Sequence, residues 1–261
     1  MNLGDANIVL RPRTALESVD LAFPFIARVG GRRYAVLAAI ALGPPLAACL
    51  ALAVLGGVGW VALWLGAAPL ALWLQGVFTT ASGEAMFATE LEPAAVLRAF
   101  WRRALPYTVA LVVSRGLIAL SAVTIVFLPF VWGHFLFVPE AVLLEGASVS
   151  QALSRSGRLG RANRGSMLEL LCSIAAILAL GVIGAESFGH AVFDFTLKLD
   201  LRAGDLFDEG GSVYAVCGLF AVIPLSATVR FLSYIDGRSR RDAWDVQVKF
   251  QRIVHEEKRA A

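Results

Sequence analysis

The chain has 261 residues, of which 58 % are hydrophobic and only 16 % charged, and its mean hydropathy is +0.71. Soluble domains carry about 25 % charged residues, so a water-soluble globular protein is excluded. The formal net charge of +3 comes from arginines set between apolar runs, a distribution that suits membrane topology and offers no nucleic-acid recognition fold.

The first segment, 1–33, carries a capping box at Thr14 and Glu17, after which Leu16, Val19, Phe23 and Ile26 share one helical face. An apolar run over 34–55 follows. It is too long for a cleavable signal, contains Pro44 and Pro45 and lacks a small-residue cleavage site, so it is expected to remain as an anchor. Gly56, Gly57 and Gly59 turn the chain into a second run at 60–79. Glu92 before Pro93 starts another amphipathic helix, with Leu97, Phe100, Trp101 and Leu105 as its apolar stripe. The stretch from Leu105 to Leu144 is about twice what one helix needs to cross roughly 30 Å of hydrocarbon. It divides near Pro129 and Gly133 into spans 105–127 and 129–145. Ser148 and Gln151 cap a third, arginine-rich amphipathic helix, and Ser166 with Glu169 marks the start of a span at 167–188. The last span covers 213–235. Trp244, Val248 and the stretch Phe250–Val254 in the basic tail, 236–261, suggest a closing amphipathic helix. The expected fold is an all-α integral membrane protein: a membrane domain over 34–235 with six transmembrane helices in three hairpins, each preceded by an interfacial helix in a weak threefold repeat.

Orientation follows from the basic residues, because cytoplasmic loops carry the excess of lysine and arginine. All but Arg115, Lys198, Arg202 and Arg230 fall on the side that holds both tails and the loops near Arg98 and Arg155. Both termini are therefore expected in the cytoplasm, with the arginines facing anionic headgroups, each worth about 1 kcal/mol near such a surface. Tyr34, Trp101, Tyr107 and Tyr234 fit the inner aromatic belt, and Trp60, Trp132 and Tyr214 the outer one. Cys49, Cys172 and Cys217 lie within spans and have neither disulfide nor metal spacing.

The external segment 189–212 alternates polar and apolar residues from Asp194 to Arg202, a strand signal. A lone strand needs a partner chain, and a short interfacial helix or irregular loop is the other reading. Asp205, Asp208 and Glu209 could recruit a cation weakly but read first as a solvated turn.

Ionisable groups inside hydrocarbon are costly and tend to face protein or water. Arg115 lies ten residues past Leu105, about 15 Å at helical rise and close to the midplane. Glu140 sits on the adjacent span, and an Arg115–Glu140 pair is expected to fasten the second hairpin, with Arg230 as the rival partner. His134, Glu186 and His190 are placed toward the outer side but have no recognised ligand spacing, so no metal is expected there. Ser114 lacks a fixed base and the glycines of a nucleophile elbow. Pro44, Pro45, Pro69 and Pro224 break helical hydrogen bonding near mid-membrane without a polar cluster to line a solute path.

Residues Val138–Leu159, with Pro139, Glu145, Ala152, Leu153, Ser154, Arg155, Ser156 and Leu159, resemble the exit from the fourth span of the six-helix membrane domain attached to some bacterial glycerophosphoryl diester phosphodiesterases. The tail motif Tyr234, Ile235, Asp236, Arg238, Arg240, Arg241, Asp242, Trp244 and Asp245 is similar to the signature after the last helix in such proteins. The opening Leu10–Leu21, with Arg11, Pro12, Arg13, Glu17 and Asp20, resembles small bacterial membrane proteins associated with MoxR-type ATPases and transglutaminase-like proteins. The resemblance covers nearly the whole chain through short motifs. It implies a fold and a bacterial inner membrane. The phosphodiesterase domain is absent, so no chemistry carries over.

These features lead to the expectation of a multi-pass, non-enzymatic inner-membrane scaffold or assembly component that needs no cofactor. Its expected partners are membrane lipids and membrane or cytoplasmic proteins. The alternative is a transporter or lipid-handling protein with a cavity near Arg115.

Overall fold

The computed structural model describes residues 13–87, 91–124, 126–162, 164–198 and 203–242. Ten helices dominate them: α1 (Ala15–Pro24), α2 (Gly31–Val54), α3 (Trp60–Phe87), α4 (Pro93–Ser121), α5 (Leu128–Phe135), α6 (Val138–Glu145), α7 (Val149–Ala162), α8 (Arg164–Gly189), α9 (Val213–Ala221) and α10 (Ile223–Asp242). They supply six stretches long and apolar enough to cross a membrane: Ala15–Val54, Trp60–Met86, Pro93–Ser121, Leu128–Glu145, Gly165–Thr196 and Val213–Arg240. A helix satisfies every backbone donor and acceptor within its own segment, which is why it is the open-ended element that hydrocarbon tolerates.

Local chemistry sets the helix ends. Thr14 caps α1, its Oγ1 accepting the Glu17 amide at 3.2 Å, and the Ser148 amide donates to Gln151 Oε1 at 3.1 Å before α7. At Pro24, which has no amide hydrogen, the ladder widens into a π-helical turn over Phe25–Gly30 that leads into α2. Pro93 occupies the first turn of α4, where a missing donor costs nothing. Ser212 caps α9 by accepting the Ala215 amide at 2.9 Å.

Helix α10 packs along α3 and α1, and α6 lies against α4 and α3. The resulting core holds Tyr34, Phe78, Phe100, Tyr107, Phe137, Phe231 and Tyr234 fully buried. Outward-facing Leu65, Leu105, Val112, Leu120 and Leu180 are exposed, as lipid-facing residues of a membrane bundle are.

The fourth span is broken between α5 and α6. Pro139 lies at the start of α6 and cannot donate to the preceding turn, so the ladder fails there. Two freed backbone groups are recovered by one side chain from α7. Ser156 Oγ donates to the His134 carbonyl at 2.7 Å and accepts the Phe137 amide at 3.1 Å. Glycines let α7 come close enough to do this: a Cβ at Gly160 would lie 2.7 Å from the Gly133 carbonyl oxygen, and one at Gly157 only 2.2 Å from the His134 ring.

Several expectations are corrected. The stripe Leu97–Leu105 is not a separate interfacial helix, because α4 runs unbroken from Pro93 to Ser121, and α1 runs through the π-helical turn into α2, so of the three amphipathic segments only α7 stands apart from a long span. The third span ends at Ser121 and α5 begins at Leu128, while a further break falls before α6. α8 starts at Arg164, two residues before Ser166, so the box at Ser166 and Glu169 does not cap it. Of the two readings of the external segment, the helical one holds at its start, where His190–Thr196 is π-helical. A two-residue hairpin pairs β1 (Gly204–Asp205) with β2 (Gly211–Ser212). Residues 199–202 and the proposed closing helix around Trp244–Val254 lie outside the described residues.

Ser156→Ala should lower stability by about 2 kcal/mol, because it leaves a buried carbonyl and a buried amide unpartnered. Unfolding of the detergent-solubilised protein, followed by circular dichroism against added SDS, measures this; an unchanged midpoint would show that the break is satisfied otherwise.

Candidate functional site

The centre of the bundle is a closed polar seam built by α3, α6 and α10, with Tyr34 of α2 beside it. Glu140 is fully buried and pairs with Arg230, Nη2 to Oε1, at 2.7 Å. Arg230 Nη1 donates to Gln75 Oε1 at 2.7 Å, and Nη2 also reaches the Leu136 carbonyl at 3.4 Å, one of those near the α5–α6 break. Gln75 Nε2 donates to Ser226 Oγ at 3.4 Å. One turn away, the Tyr34 hydroxyl meets Thr228 Oγ1 at 2.9 Å and Ser82 Oγ at 3.4 Å. Helix α10 thus offers a stripe four residues apart, Ser226, Arg230, Tyr234 and Arg238, each of which meets a polar group of another helix.

The expected Arg115–Glu140 pair is therefore replaced by Arg230–Glu140. The reason is register. Arg103 of α4 donates to the Leu143 and Val142 carbonyls at the end of α6, so Tyr107 lies at the level of Glu140. Arg115 is three turns farther, about 18 Å from Arg103 along the axis. It lies over the Trp132 ring of α5, its guanidinium carbon 5.9 Å from the ring centre.

The arginine-rich end is tied by two carboxylates. Glu145 accepts the Tyr234 hydroxyl and forms ion pairs with Arg155 at 2.6 Å and Arg238 at 3.1 Å, joining α6, α7 and α10. Asp236 accepts the Arg13 amide at 2.6 Å and Arg240 Nε at 2.9 Å, and Arg240 also donates to the Arg13 carbonyl. The two sequence motifs, Val138–Leu159 and the tail from Tyr234, thus meet in space. Ser154 only bonds back to the Gln151 carbonyl at 3.0 Å, and Ser156 serves the α5–α6 break. Trp244, Asp245 and the Arg241 side chain lie outside the described residues.

Glu186 and His190 do come together at the opposite end, but His134 is not with them. Its ring packs against Gly157 of α7 and edge-on to Phe135, because α7 folds back along α5. His190 Nε2 is 3.1 Å from Glu186 Oε1 and 3.8 Å from Asp205 Oδ2, while Nδ1 is 2.5 Å from Asp194 Oδ2. Asp205 opens a solvated turn, with Asp208 and Glu209 exposed, as the sequence reading has it. Its Oδ1 accepts the amides of Asp208 and Phe207, and these bonds hold its carboxyl below the usual carboxylate range.

Two cavities adjoin the helices. One, of about 330 Å³, lies between α1, α8 and α10 and is lined by Arg13, Ser18, Ser233 and Asp236. The other is an apolar groove of about 840 Å³ between α5, α7 and α8, walled by Phe127, Phe130, Met167 and Leu168 with His134 and Arg161 beside them. Arg115 lines neither.

The chain matches no protein-family model, no curated protein and no solved structure.

Arg230, the rival partner in the sequence reading, is the centre of the seam; what that reading lacked is the stripe around it, polar residues at 226, 230, 234 and 238 facing Gln75, Thr79 and Ser82 at similar spacing on α3. Arg230→Met should cost about 3–5 kcal/mol by stranding Glu140, whereas Arg115→Met should cost less because no carboxylate is left alone. A combined Glu140→Leu and Arg230→Met variant should recover most of that loss. Melting midpoints in one detergent, arranged as a double-mutant cycle, measure both; equal losses at Arg115 and Arg230 would contradict the assignment.

Proposed function

We propose that the protein is a multi-pass bacterial inner-membrane component, with both termini in the cytoplasm, that anchors or assembles partner proteins and is not an enzyme. The observation that carries this reading is that α1 buries its small-residue face while turning its large apolar side chains outward. Ala15, Ser18 and Ala22 pack against α10 and α8, whereas Leu16 and Phe23, seven residues apart on one face, are 59 % and 56 % exposed. The helix does not need those side chains for its own packing, so they are available to something else.

Two further features support it. The buried charges of Arg230 and Glu140 are engaged with each other and with Gln75, and Arg115 lies over Trp132, outside both cavities. The arginine-rich end is fixed by Glu145 and Asp236, so α1 and the start of the tail are presented in a defined relation, Arg13 against Asp236 and Arg240. Anionic headgroups would contact the arginines of this face. The bacterial inner membrane enters through the resemblance and the cytoplasmic side through the positive-inside rule.

A second reading, lipid handling, is favoured by the groove between α5, α7 and α8. Its apolar walls suit an acyl chain, and Arg161 and His134 at its edge suit an anionic headgroup.

Crosslinking in native membranes at natural expression level, followed by mass spectrometry of proteins and lipids, separates the two. The scaffold reading expects a stoichiometric protein partner that is lost when Leu16 and Phe23 are both changed to Ser, with the melting midpoint of the isolated protein unchanged. Recovery of one lipid species without protein, lost in a Phe130→Asp variant, would replace it with the second reading.

A further inference from the structure

We infer that Glu186, His190 and Asp205 form a binding site for a first-row divalent metal ion of the zinc type, at the end of the bundle opposite the arginine-rich one. Their nearest ligand atoms, Glu186 Oε1, His190 Nε2 and Asp205 Oδ2, all lie within 4.8 Å of one another. An ion about 2.1 Å from each of three tetrahedral ligands places those ligands about 3.4 Å apart. The separations from Nε2 bracket that value, at 3.1 Å to Glu186 and 3.8 Å to Asp205.

The imidazole is oriented as a metal ligand is. Nδ1 is 2.5 Å from Asp194 Oδ2, and the other oxygen of Asp194 accepts the Tyr214 hydroxyl at 3.2 Å. A histidine whose Nδ1–H is given to a held carboxylate turns the lone pair of Nε2 to the opposite side, and that arrangement recurs behind metal-bound histidines. Here the opposite side is where Glu186 and Asp205 converge. Without a cation, three carboxylates would surround one imidazole.

Both carboxylates are positioned before any ion arrives. Glu186 is 2 % exposed; its Oε1 accepts the Leu206 amide at 2.8 Å and its Oε2 the Ser212 hydroxyl. Asp205 stands on the β1–β2 hairpin, which presses on the indole of Trp60: Cβ atoms at Gly204 and Gly211 would meet that ring at 2.4 Å and 2.8 Å. Trp60 Nε1 donates to Glu209 at 3.1 Å and Trp64 Nε1 to the Gly210 carbonyl at 3.0 Å, which pins the turn. Asp205 uses Oδ1 for the turn amides and leaves Oδ2 for the ion. His190 and Asp205 are about one-third exposed, so the fourth position opens to solvent, as in a site that keeps a water. Binding displaces the proton that Nε2 otherwise shares with Glu186, and the proton leaves to water.

The test uses the full-length, tag-free protein in mild detergent, with Cys172 alkylated and adventitious metal removed by EDTA. Zn²⁺ is titrated by calorimetry, and Co²⁺ is added separately to read the ligand field in the visible spectrum. The expected result is one ion per chain, with an affinity reduced at least tenfold by Asp205→Asn and by His190→Gln and unaffected by Asp208→Asn. Asparagine at 205 can still accept the turn amides, so that variant tests the ligand if His190→Gln fails to fold. Tyr214→Phe, which acts only through Asp194, should weaken binding by a smaller factor. No saturable Zn²⁺ binding, or binding that ignores both ligand substitutions, would overturn the site and leave His190 as a hydrogen-bonded link between Glu186 and Asp194. The outcome is independent of whether a partner protein is captured at α1.

Discussion

The fold is organised around the buried contact between Arg230 and Glu140. Withdrawing each ion from water costs several kcal/mol, and only close geometry with additional hydrogen bonds offsets that cost. Both are present: a 2.7 Å pair, with Gln75 and the Leu136 carbonyl taking further donors of the guanidinium. Because neither charge tolerates isolation in a low-dielectric interior, the pair fixes the rotation of α10 and the depth of α6 together. A shift of one residue in either helix would turn one of the ions toward apolar surroundings. Every other polar contact of α10 is consistent with that single setting, from Ser226 beside Gln75 to Arg238 on Glu145.

The same requirement, that no polar group be left dry and alone, explains the irregular fourth span. A proline at position 139 would ordinarily be tolerated poorly at membrane depth, since it frees backbone groups that hydrocarbon cannot satisfy. The chain solves this with a helix from outside the span set. α7 is polar enough to be read as interfacial, yet its small residues Ser156, Gly157 and Gly160 allow it to lie directly on α5 and supply the missing hydrogen bonds. Its arginines then face away or toward Glu145. What the sequence presents as an amphipathic surface helix is thus also an internal brace, in which serine, arginine and glycine each have a structural use.

This bears on what could be read before the structure. The six spans were legible because length and hydropathy alone identify a stretch that crosses hydrocarbon, and the caps at Thr14 and Ser148 were legible because their hydrogen bonds are local. Arg115–Glu140 was misread because depth was counted from the start of the apolar run, whereas α4 begins twelve residues earlier and its register against α6 is set by Arg103 on a carbonyl. No local signal reports such a register. His134 was assigned to the wrong company for a similar reason: its position follows from the fold-back of α7, a tertiary event. Glu186 and His190 are a helical turn apart and could be joined from sequence, but Asp205 reaches them only through a hairpin whose Gly204 and Gly211 pack on the Trp60 ring, a contact across more than 140 positions of chain.

The two ends of the bundle are chemically opposite, and the helices make that opposition effective. At one end the carboxylates of Glu145 and Asp236 are outnumbered by guanidinium groups and serve to hold them, so the surface there remains positive and stiff. At the other, Glu186, Asp194 and Asp205 gather around a single imidazole and their excess is negative. A cation at that end would tighten the link that His190 already makes between the end of α8 and the hairpin before α9, a hairpin that itself rests on Trp60 at the start of α3. Since α8 packs closely on α9 and α9 leads straight into α10, an ion there would stiffen the same helices that carry Arg230 and, farther along, the contacts with α1. Any influence of an ion there on the α1 end would travel through this path of packed helices, not through a change of charge, because exposed charges are felt only over about 8 Å in physiological salt.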